Sequence, residues 1–291
     1  MSGVTAPERR YVITFGCPDR TGIIARISGF LAEHGGWIVE AAYHTDPDTG
    51  WFFTRQVVRA DSLPFDAAEL RARFGEVAAE LSAESSWQVT DTGERRRAVI
   101  LVSKAGHCLY DLLGRVASGE LDVDIAAVIG NHESLGDITR AHGIPFHHVP
   151  FPAGGKEAAF EQVRKLVDEH DPHAVVLARF MQILPAGLCR EWAGRAINIH
   201  HSFLPSFIGA KPYHQAHTRG VKLVGATCHY VTADLDAGPI IEQDVIRVDH
   251  GDSVEDMVRK GRDIEKVTLA RGLRWHLENR VLVHGNRTVV F

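Results

Sequence analysis

The first part of the chain carries a hydrophobic pattern that predicts a small unit of strands and helices. Residues 10–15 are β-branched and aromatic, as in a strand, and the turn sequence Cys-Pro-Asp-Arg-Thr-Gly follows at 17–22. Apolar side chains then recur at three- to four-residue spacing, at Ile23, Ile27, Phe30 and Leu31. This spacing predicts a helix with one apolar face, which Asp19 is placed to cap and the glycines at 35 and 36 are placed to end.

The segment after that helix predicts a hairpin and a second helix. Strand-like runs at 37–45 and 51–58 flank the turn sequence Asp-Pro-Asp-Thr-Gly at 46–50. A helical pattern covers 65–81, and a short segment at 87–89 is suited to a closing strand. The resulting order, βαββαβ, is that of a ferredoxin-like unit.

The pattern changes after a polar segment at 91–97, which we interpret as a linker. Residues 98–102, 125–129 and 174–178 are continuous apolar runs, as in strands that are buried on both faces. Helical patterns lie between these runs, so this part predicts an α/β fold with a doubly wound, mostly parallel sheet. A long amphipathic pattern at 253–278 predicts a helix that packs on the sheet.

We therefore expect a first domain at 1–90, a linker at 91–97 and a second domain at 98–291. Of the 291 residues, 45% are hydrophobic, which is enough to bury a core in each domain. The 32 Lys and Arg against 37 Asp and Glu give a formal charge of −5, which argues against a nucleic-acid partner. No apolar run approaches the ~20 residues that span a bilayer, and the N-terminus lacks a signal-type apolar segment. These features favour a cytoplasmic protein with no membrane partner.

The cysteines and histidines do not form a recognisable metal motif. The four cysteines are scattered without a Cys-x-x-Cys pair, and the 17 histidines include no His-Glu-x-x-His. We therefore expect no bound metal, and reduced cysteines that lie in the core.

Two polar clusters stand where ligands bind in parallel sheets, beyond the carboxyl ends of strands. Asn198 and His200 end an apolar strand and share one of its faces, so an amide and an imidazole there can stabilise an oxyanion and move a proton. Asp234 and Asp236 precede a Gly-Pro pair after another strand, and a carboxylate beside a histidine is a common general-base pairing. Taken separately, the first cluster also fits satisfied polar groups at a strand end, and the second fits a plain turn.

Together the motifs resemble the folate-dependent formyltransferase superfamily. Asn-Ile-His at 198–200, Ser-Phe-Leu-Pro-Ser-Phe-Ile-Gly at 202–209, Gly-Ala-Thr-Cys-His-Tyr-Val at 225–231 and Asp-x-Asp-Ala-Gly-Pro-Ile-Ile at 234–241 occur in the order that this superfamily uses. The resemblance begins near residue 97 and implies that Asn198, His200 and Asp236 are catalytic. It also implies a folate site at the strand end and loop 177–184, with contacts from Phe180, Met181, Gln182, Ile183 and Leu184.

One departure distinguishes two groups within that superfamily. The purine-precursor transferases carry a Gly- and Asn-rich loop after the first strand that holds a substrate phosphate, whereas 103–111 contains a single glycine. This stretch, with Ile-Gly-Asn-His at 129–132 and Gly-Asn-Arg-Thr at 285–288, resembles the formyltetrahydrofolate deformylases, the hydrolases of the superfamily. The resemblance implies that 10-formyltetrahydrofolate is hydrolysed to formate and tetrahydrofolate without a cofactor.

Four further residues of the same region bear on the predicted site. We expect His107, after the first strand, to border the water site, and Gly225 to contact the substrate. His201 should leave the strand on the face opposite to His200 and be structural. His229 fits a core residue and a site residue equally well. The alternatives for the whole chain are a transferase that passes the formyl group to an amine, and a non-catalytic amino-acid or folate sensor.

The N-terminal unit resembles an ACT domain, an amino-acid-sensing module, in its Cys-Pro-Asp-Arg-Thr-Gly motif and its βαββαβ order. The resemblance implies an amino-acid effector such as glycine or methionine, and pairing between copies of the chain into a homo-oligomer. The expected effector residues are Asp19, Thr21 and Gly22, at a helix N-terminus that suits a carboxylate. The alternative is a capped helix that serves only as a dimer contact.

Overall fold

The computed structural model describes residues 8–206 and 212–291, which fall into two compact units. The first unit is the chain up to Arg95 together with Asn279–Leu282 and Val289–Phe291. The second unit comprises Arg96–Glu278 and Val283–Thr288. Positions 207–209 of the second motif lie outside the described residues.

The first unit is an antiparallel four-stranded sheet with two helices. Its elements are β1 (Arg10–Pro18), α1 (Ile23–Glu33), β2 (Ile38–Asp46), β3 (Trp51–Arg59), α2 (Ala67–Leu81) and β4 (Ser86–Asp91). The strand order is β2-β3-β1-β4, and the predicted ferredoxin-like arrangement is therefore confirmed. Side chains of β1, α1 and α2 form its core, where Phe15 meets Phe74 edge to face with ring centroids 6.1 Å apart.

The sequence predicted the C-terminal end of α1 correctly and its N-terminal end wrongly. Gly35 takes φ 75° just past α1, and the Gly36 N–H closes that helix on Leu31 O, as expected. The prediction that Asp19 caps α1 is wrong. The helix begins at Ile23, so its N-cap is Gly22, at φ 96° and without a side-chain hydrogen bond, and Asp19 lies too early to reach the first turn.

The second unit alternates strands and helices around one sheet. Its elements are β5 (Arg97–Val102), α3 (His107–Ala117), β6 (Asp124–Gly130), α4 (Gly136–Ala141), β7 (Phe146–His148), α5 (Lys156–His170), β8 (Ala174–Ala178), α6 (Ala186–Glu191), β9 (Ala196–His200), α7 (Pro212–Arg219), β10 (Leu223–Tyr230), β11 (Ile240–Arg247) and α8 (Val254–Leu277). The chain ends in a two-stranded sheet of β12 (Val281–His284) and β13 (Arg287–Val290).

The large sheet has the order β11-β10-β9-β8-β5-β6-β7. Strands β5 to β9 are parallel, and β10 runs antiparallel to both β9 and β11, so the predicted mostly parallel sheet is confirmed. The order reverses between β5 and β8, which opens a crevice at the carboxyl ends of the central strands. The long helix α8 packs on this sheet, and its N-cap, Ser253, forms a capping box with Asp256. Within the described residues, no helix combines the length and the apolar character needed to cross a membrane.

Candidate active site

Asn198 and His200 stand at the carboxyl end of β9, in the middle of the sheet. β9 is paired on one side with β8, where Leu177 lies opposite Asn198, and on the other with β10, where His229 lies opposite Asn198. Because the two residues are two positions apart, both side chains leave the strand on one face and line the same cleft. The predicted pairing of an amide and an imidazole is present in the structure.

The loop between β10 and β11 brings Asp236 to His200. The ends of the loop are joined by the Tyr230 N–H, which donates to Pro239 O at 2.9 Å. Gly238 approaches Tyr230 so closely that a Cβ would collide with the backbone oxygen, and a glycine is therefore required there. Asp236 adopts φ 53°, and its Oδ1 lies 3.3 Å from His200 Nδ1.

The imidazole of His200 and the carboxylate of Asp236 form a close pair, and the two side chains are 8% and 15% exposed. The hydrogen bond with His200 lowers the pKa of Asp236 below its ordinary value, although burial acts in the opposite direction. The other ring nitrogen of His200, Nε2, is buried and has no hydrogen-bond partner among the described residues. Since buried polar atoms are nearly always paired, this nitrogen is suited to donate to a molecule in the cleft.

The cleft has a volume of about 290 Å³ and a mostly apolar lining. One wall is the segment after β8, and each of the predicted folate contacts lines it: Phe180, Met181, Gln182, Ile183 and Leu184. Phe180 and Leu184 are buried, whereas Met181 and Ile183 are 62% and 69% exposed. Leu235, in the loop that carries Asp236, is 59% exposed at the same cleft. Exposed apolar side chains around a polar centre are typical of a site that receives a flat, partly apolar ligand.

Gly225, predicted to contact the substrate, lies away from this cleft. It lines a separate cavity of about 30 Å³. Gly225 precedes the cleft residue His229 by four positions in β10, a separation of about 13 Å along a strand. A Cβ on Gly225 would press on the backbone of Asp244 in β11, so this glycine allows two strands to pack closely.

His107, the other predicted substrate residue, does not line the cleft either. Its Nε2 is 2.7 Å from Oε2 of Glu265, a residue of α8 that is 1% exposed. Tyr213 Oη donates to the other carboxylate oxygen at 3.0 Å, and Arg179 Nε lies 3.6 Å from Oε2. Burial alone would raise the pKa of Glu265, but the hydrogen bond with His107 and the charge of Arg179 outweigh it and lower that pKa. Glu265 therefore joins α3, α7 and the segment after β8.

His107, Cys108 and Glu265 are the one group in 8–206 and 212–291 whose ligand-type atoms cluster as a metal site would require, within 4.8 Å. Burial raises the pKa of the Cys108 thiol well above its ordinary value, which opposes the thiolate form that binds metals. The guanidinium of Arg179 beside Glu265 also repels a cation. These residues fit a hydrogen-bonded cluster better than a metal centre.

Three further residues line the cleft: His201, His229 and Arg179. The prediction that His201 leaves the strand on the face opposite to His200 is wrong, because β9 ends at His200 and both rings enter the same cleft. His201 stacks on His200 with ring centroids 5.1 Å apart, and burial, with the nearby charge of Arg179, lowers its pKa to about 4. His229 is 2% exposed and contacts both Asn198 and Asp236. Arg179 takes φ 64° directly after β8.

The sequence did carry a sign that Glu265 is buried. Glu265 continues the buried stripe of Met257 and Gly261 on α8, at four-residue spacing.

The predicted effector residues lie in the first unit, in the turn before α1. Asp19, Thr21 and Gly22 are all exposed. Gly22 forms the N-cap of α1 without a side-chain hydrogen bond, and the Asp19 N–H donates to Gly50 O at 2.8 Å. The first-turn amide groups of α1 are therefore not satisfied by a capping side chain.

Comparisons with known proteins agree with this architecture. Family models match twice, as an ACT domain over residues 11–70 and as a formyl transferase over residues 96–273. A formyltetrahydrofolate deformylase from a Corynebacterium species is 46% identical over 281 residues, which are 97% of this chain and 98% of that protein.

Two solved structures are similar over nearly the whole chain. A formyltetrahydrofolate deformylase from Pseudomonas syringae pv. tomato has 59% identity and a TM-score of 0.95, covering 97% of this chain and 94% of that one. The deformylase of Burkholderia mallei has 43% identity and a TM-score of 0.91, covering 97% and 99%. With both domains matched and near-complete coverage of these relatives, the chain belongs to the formyltetrahydrofolate deformylase family.

Proposed function

We propose that this chain hydrolyses 10-formyltetrahydrofolate to formate and tetrahydrofolate, with water as the nucleophile and without a cofactor. The observation that carries the proposal is the convergence of Asn198, His200 and Asp236 on one apolar cleft. The near-complete match to proteins named as deformylases supports the same reaction.

Asn198 and His200 stabilise the transition state in this proposal. When water adds to the formyl carbon, negative charge develops on the formyl oxygen. The Asn198 amide and the unpaired His200 Nε2 are donors fixed at the wall of the cleft, so they need little reorganisation as that charge forms. Removing one such donor typically lowers a rate by about 10²- to 10³-fold.

Asp236 is the residue that transfers a proton during the reaction. Its carboxylate lies 3.3 Å from His200 Nδ1, where it orients the imidazole, and it is placed to accept a proton from the attacking water. The new bond joins the water oxygen to the formyl carbon, and the bond from that carbon to N10 breaks. One proton of the water passes to N10, and the other is released to solvent because the formic acid formed ionises to formate. Formate and tetrahydrofolate then leave without a covalent intermediate.

The folate ring system lies along the segment after β8 in this proposal. Phe180 and Leu184 provide a buried apolar wall, and the exposed side chains of Met181, Ile183 and Leu235 cover the ligand from the mouth of the cleft. Gln182 offers the polar contact on the same wall.

A formyl transfer to a phosphorylated amine is less well supported. Such a substrate needs a cradle of backbone N–H groups for its phosphate, and the segment after β5 has one glycine between 103 and 111. The first residue of the following helix, His107, is already bonded to Glu265.

The test is formate release from 10-formyltetrahydrofolate with and without glycinamide ribonucleotide as an amine acceptor. We expect formate and tetrahydrofolate in equal amounts without the acceptor, and no change when it is added. Turnover that requires the acceptor would contradict the proposal. Asn198→Ala should lower kcat by about 10²- to 10³-fold, whereas Asn286→Ala, which removes an exposed amide from the β12–β13 turn, should not.

We further propose that the first unit binds an amino acid such as glycine or methionine at Asp19, Thr21 and Gly22, and that copies of the chain associate through this unit. The first-turn amide groups of α1, which no capping side chain among the described residues satisfies, support carboxylate binding. The edge strand β2 and the residue before it expose Trp37, Val39 and Tyr43, which supports association. Calorimetric titration with each amino acid tests the binding site, and light scattering of the parent and of Trp37→Glu tests the association. No heat of binding would contradict the first proposal, and an equal molar mass for the parent and the variant would contradict the second.

A further inference from the structure

His229 is a buried histidine with no role in the mechanism described above. It lies directly opposite Asn198 in the β9–β10 pair, so the two side chains share a face of the sheet. The pairing of β10 with β11 shifts register between Cys228 and His229. Such irregularities in a strand often re-aim a side chain, and they are frequent beside active sites.

The two ring nitrogens of His229 face different partners. Nδ1 lies 2.8 Å from the backbone oxygen of Tyr230, and Nε2 lies 3.2 Å from Asn198 Nδ2. A carbonyl oxygen can only accept, so Nδ1 must carry a proton. Burial lowers the pKa of His229, which favours the neutral ring. A neutral ring with a proton on Nδ1 has a bare Nε2, which accepts a hydrogen bond.

The charged neighbours of His229 agree with this tautomer. Asp236 Oδ1 is 3.9 Å from Nε2, too far for a hydrogen bond, and it is already paired with His200 at 3.3 Å. In the described part of the chain, a proton on Nε2 would have no acceptor within hydrogen-bond distance, and it would face the NH₂ group of Asn198. It would also leave a bare Nδ1 against the Tyr230 oxygen.

We propose that His229 is a positioning residue that fixes the orientation of the Asn198 carboxamide. This inference rests on the proposed function for its catalytic meaning. The bare Nε2 accepts one N–H of the Asn198 NH₂ group. Because the carboxamide is planar, fixing one N–H fixes the direction of the other, which is the donor that Asn198 offers in the cleft. Without an acceptor at this position, the amide can rotate and present its oxygen to the developing oxyanion, which repels it.

Two substitutions separate this role from packing. His229→Asn keeps a donor near Nδ1 for Tyr230 and loses the acceptor for Asn198. His229→Gln places an amide oxygen near the position of Nε2 and keeps that acceptor. We expect kcat to fall by about 10²-fold in His229→Asn with little change in KM, and by less than about fivefold in His229→Gln. In an Asn198→Ala background, His229→Asn should lower kcat by less than about twofold further, since the amide it orients is gone.

The matched control is His276→Asn, which removes a histidine of the same unit that is hydrogen-bonded at both ring nitrogens, to Tyr230 Oη and His173 O. It should lower the melting temperature without lowering kcat by more than about twofold. Equal losses of kcat in His229→Asn and His229→Gln, or the same loss with and without Asn198, would overturn the proposal. An unchanged kcat in His229→Asn would overturn it as well.

A measurement on the parent protein separates this inference from the proposed function. Long-range ¹H–¹⁵N correlation spectra of the histidine rings at neutral pH should show His229 as the neutral tautomer with its proton on Nδ1. A proton on Nε2 would overturn the inference, even if the His229 variants do not fold. If the parent releases no formate from 10-formyltetrahydrofolate, the proposed function fails, and the spectra still decide the orientation of the His229–Asn198 pair.

Discussion

Replacement of Glu265 by leucine should destabilise the second unit far more than a surface substitution does. The carboxylate is 1% exposed and bonds His107 at 2.7 Å and Tyr213 at 3.0 Å, with Arg179 at 3.6 Å. Leucine leaves the buried Tyr213 and the largely buried His107 and Arg179 without the charge that they surround. Removing one partner of a buried ion pair costs about 3–5 kcal/mol of unfolding free energy, and we expect this loss for Glu265→Leu.

Hydrogen–deuterium exchange of peptides from β5, β8 and α8 measures this loss in the second unit alone. A cost of about 3–5 kcal/mol corresponds to exchange that is about 10²- to 10⁴-fold faster for amides that exchange through global unfolding. The control is Asp263→Asn, on the same helix, whose side chain is 61% exposed and pairs with Lys266 at 2.7 Å. An exposed pair of this kind contributes about 0–1 kcal/mol. Exchange in Glu265→Leu that matches Asp263→Asn would contradict a stabilising role for the buried carboxylate.

The same carboxylate predicts a direction for the pH dependence of stability. Its pKa is lowered in the folded chain, so its contribution is complete above the unfolded-state value of about 4.3 and is lost as pH falls through the folded value. The difference in unfolding free energy between the parent and Glu265→Gln should therefore be constant near neutral pH and shrink below about pH 4.3. A difference that grows on acidification would contradict the assigned sign.

Two further predictions concern the walls of the cleft. Gly238→Ala should lower kcat by at least about 10²-fold, because the added Cβ collides with the Tyr230 backbone and displaces the loop that holds Asp236. The control is Gly251→Ala, in a turn outside the cleft. Activity of Gly238→Ala like that of the parent would contradict the prediction. Ile183→Ser should raise KM for the folate by about 5- to 30-fold with a smaller effect on kcat, because the ligand no longer buries an apolar side chain there. Ile138→Ser, at an exposed apolar residue on α4, should leave KM unchanged, and equal KM values for the parent and Ile183→Ser would remove Ile183 from the folate site.

Much of the architecture could be predicted because burial leaves a regular trace in the sequence. The continuous apolar runs of β5, β6 and β8 indicate strands covered on both faces, and the glycines after α1 mark its end. The position of Asn198 and His200 follows from the same logic, since residues two apart on a strand share a face.

The contacts that were not predicted depend on distances between elements. Glu265 continues the buried stripe of α8, so its burial could be predicted from the spacing, but its three partners come from other elements and could not be predicted. Gly225 belongs to the same motif as the cleft residue His229, but the two residues lie four positions apart along β10, and Gly225 lines a separate cavity. The motif alone does not show which of its residues the strand pairing places at the cleft. The expected cap at Asp19 failed because the turn extends to Gly22 before the helix begins.

The substitution Asp236→Asn tests most directly whether Asn198, His200 and Asp236 catalyse the attack of water on the formyl group. The measurement is the rate of formate release from 10-formyltetrahydrofolate without an amine acceptor, for the parent, for Asp236→Asn and for Asp137→Asn, which removes an exposed carboxylate on α4. We expect the parent and Asp137→Asn to release formate at similar rates and Asp236→Asn to be slower by about 10²- to 10⁴-fold. Equal rates for the parent and Asp236→Asn would contradict the assignment, and a parent that releases no formate would contradict the proposed reaction.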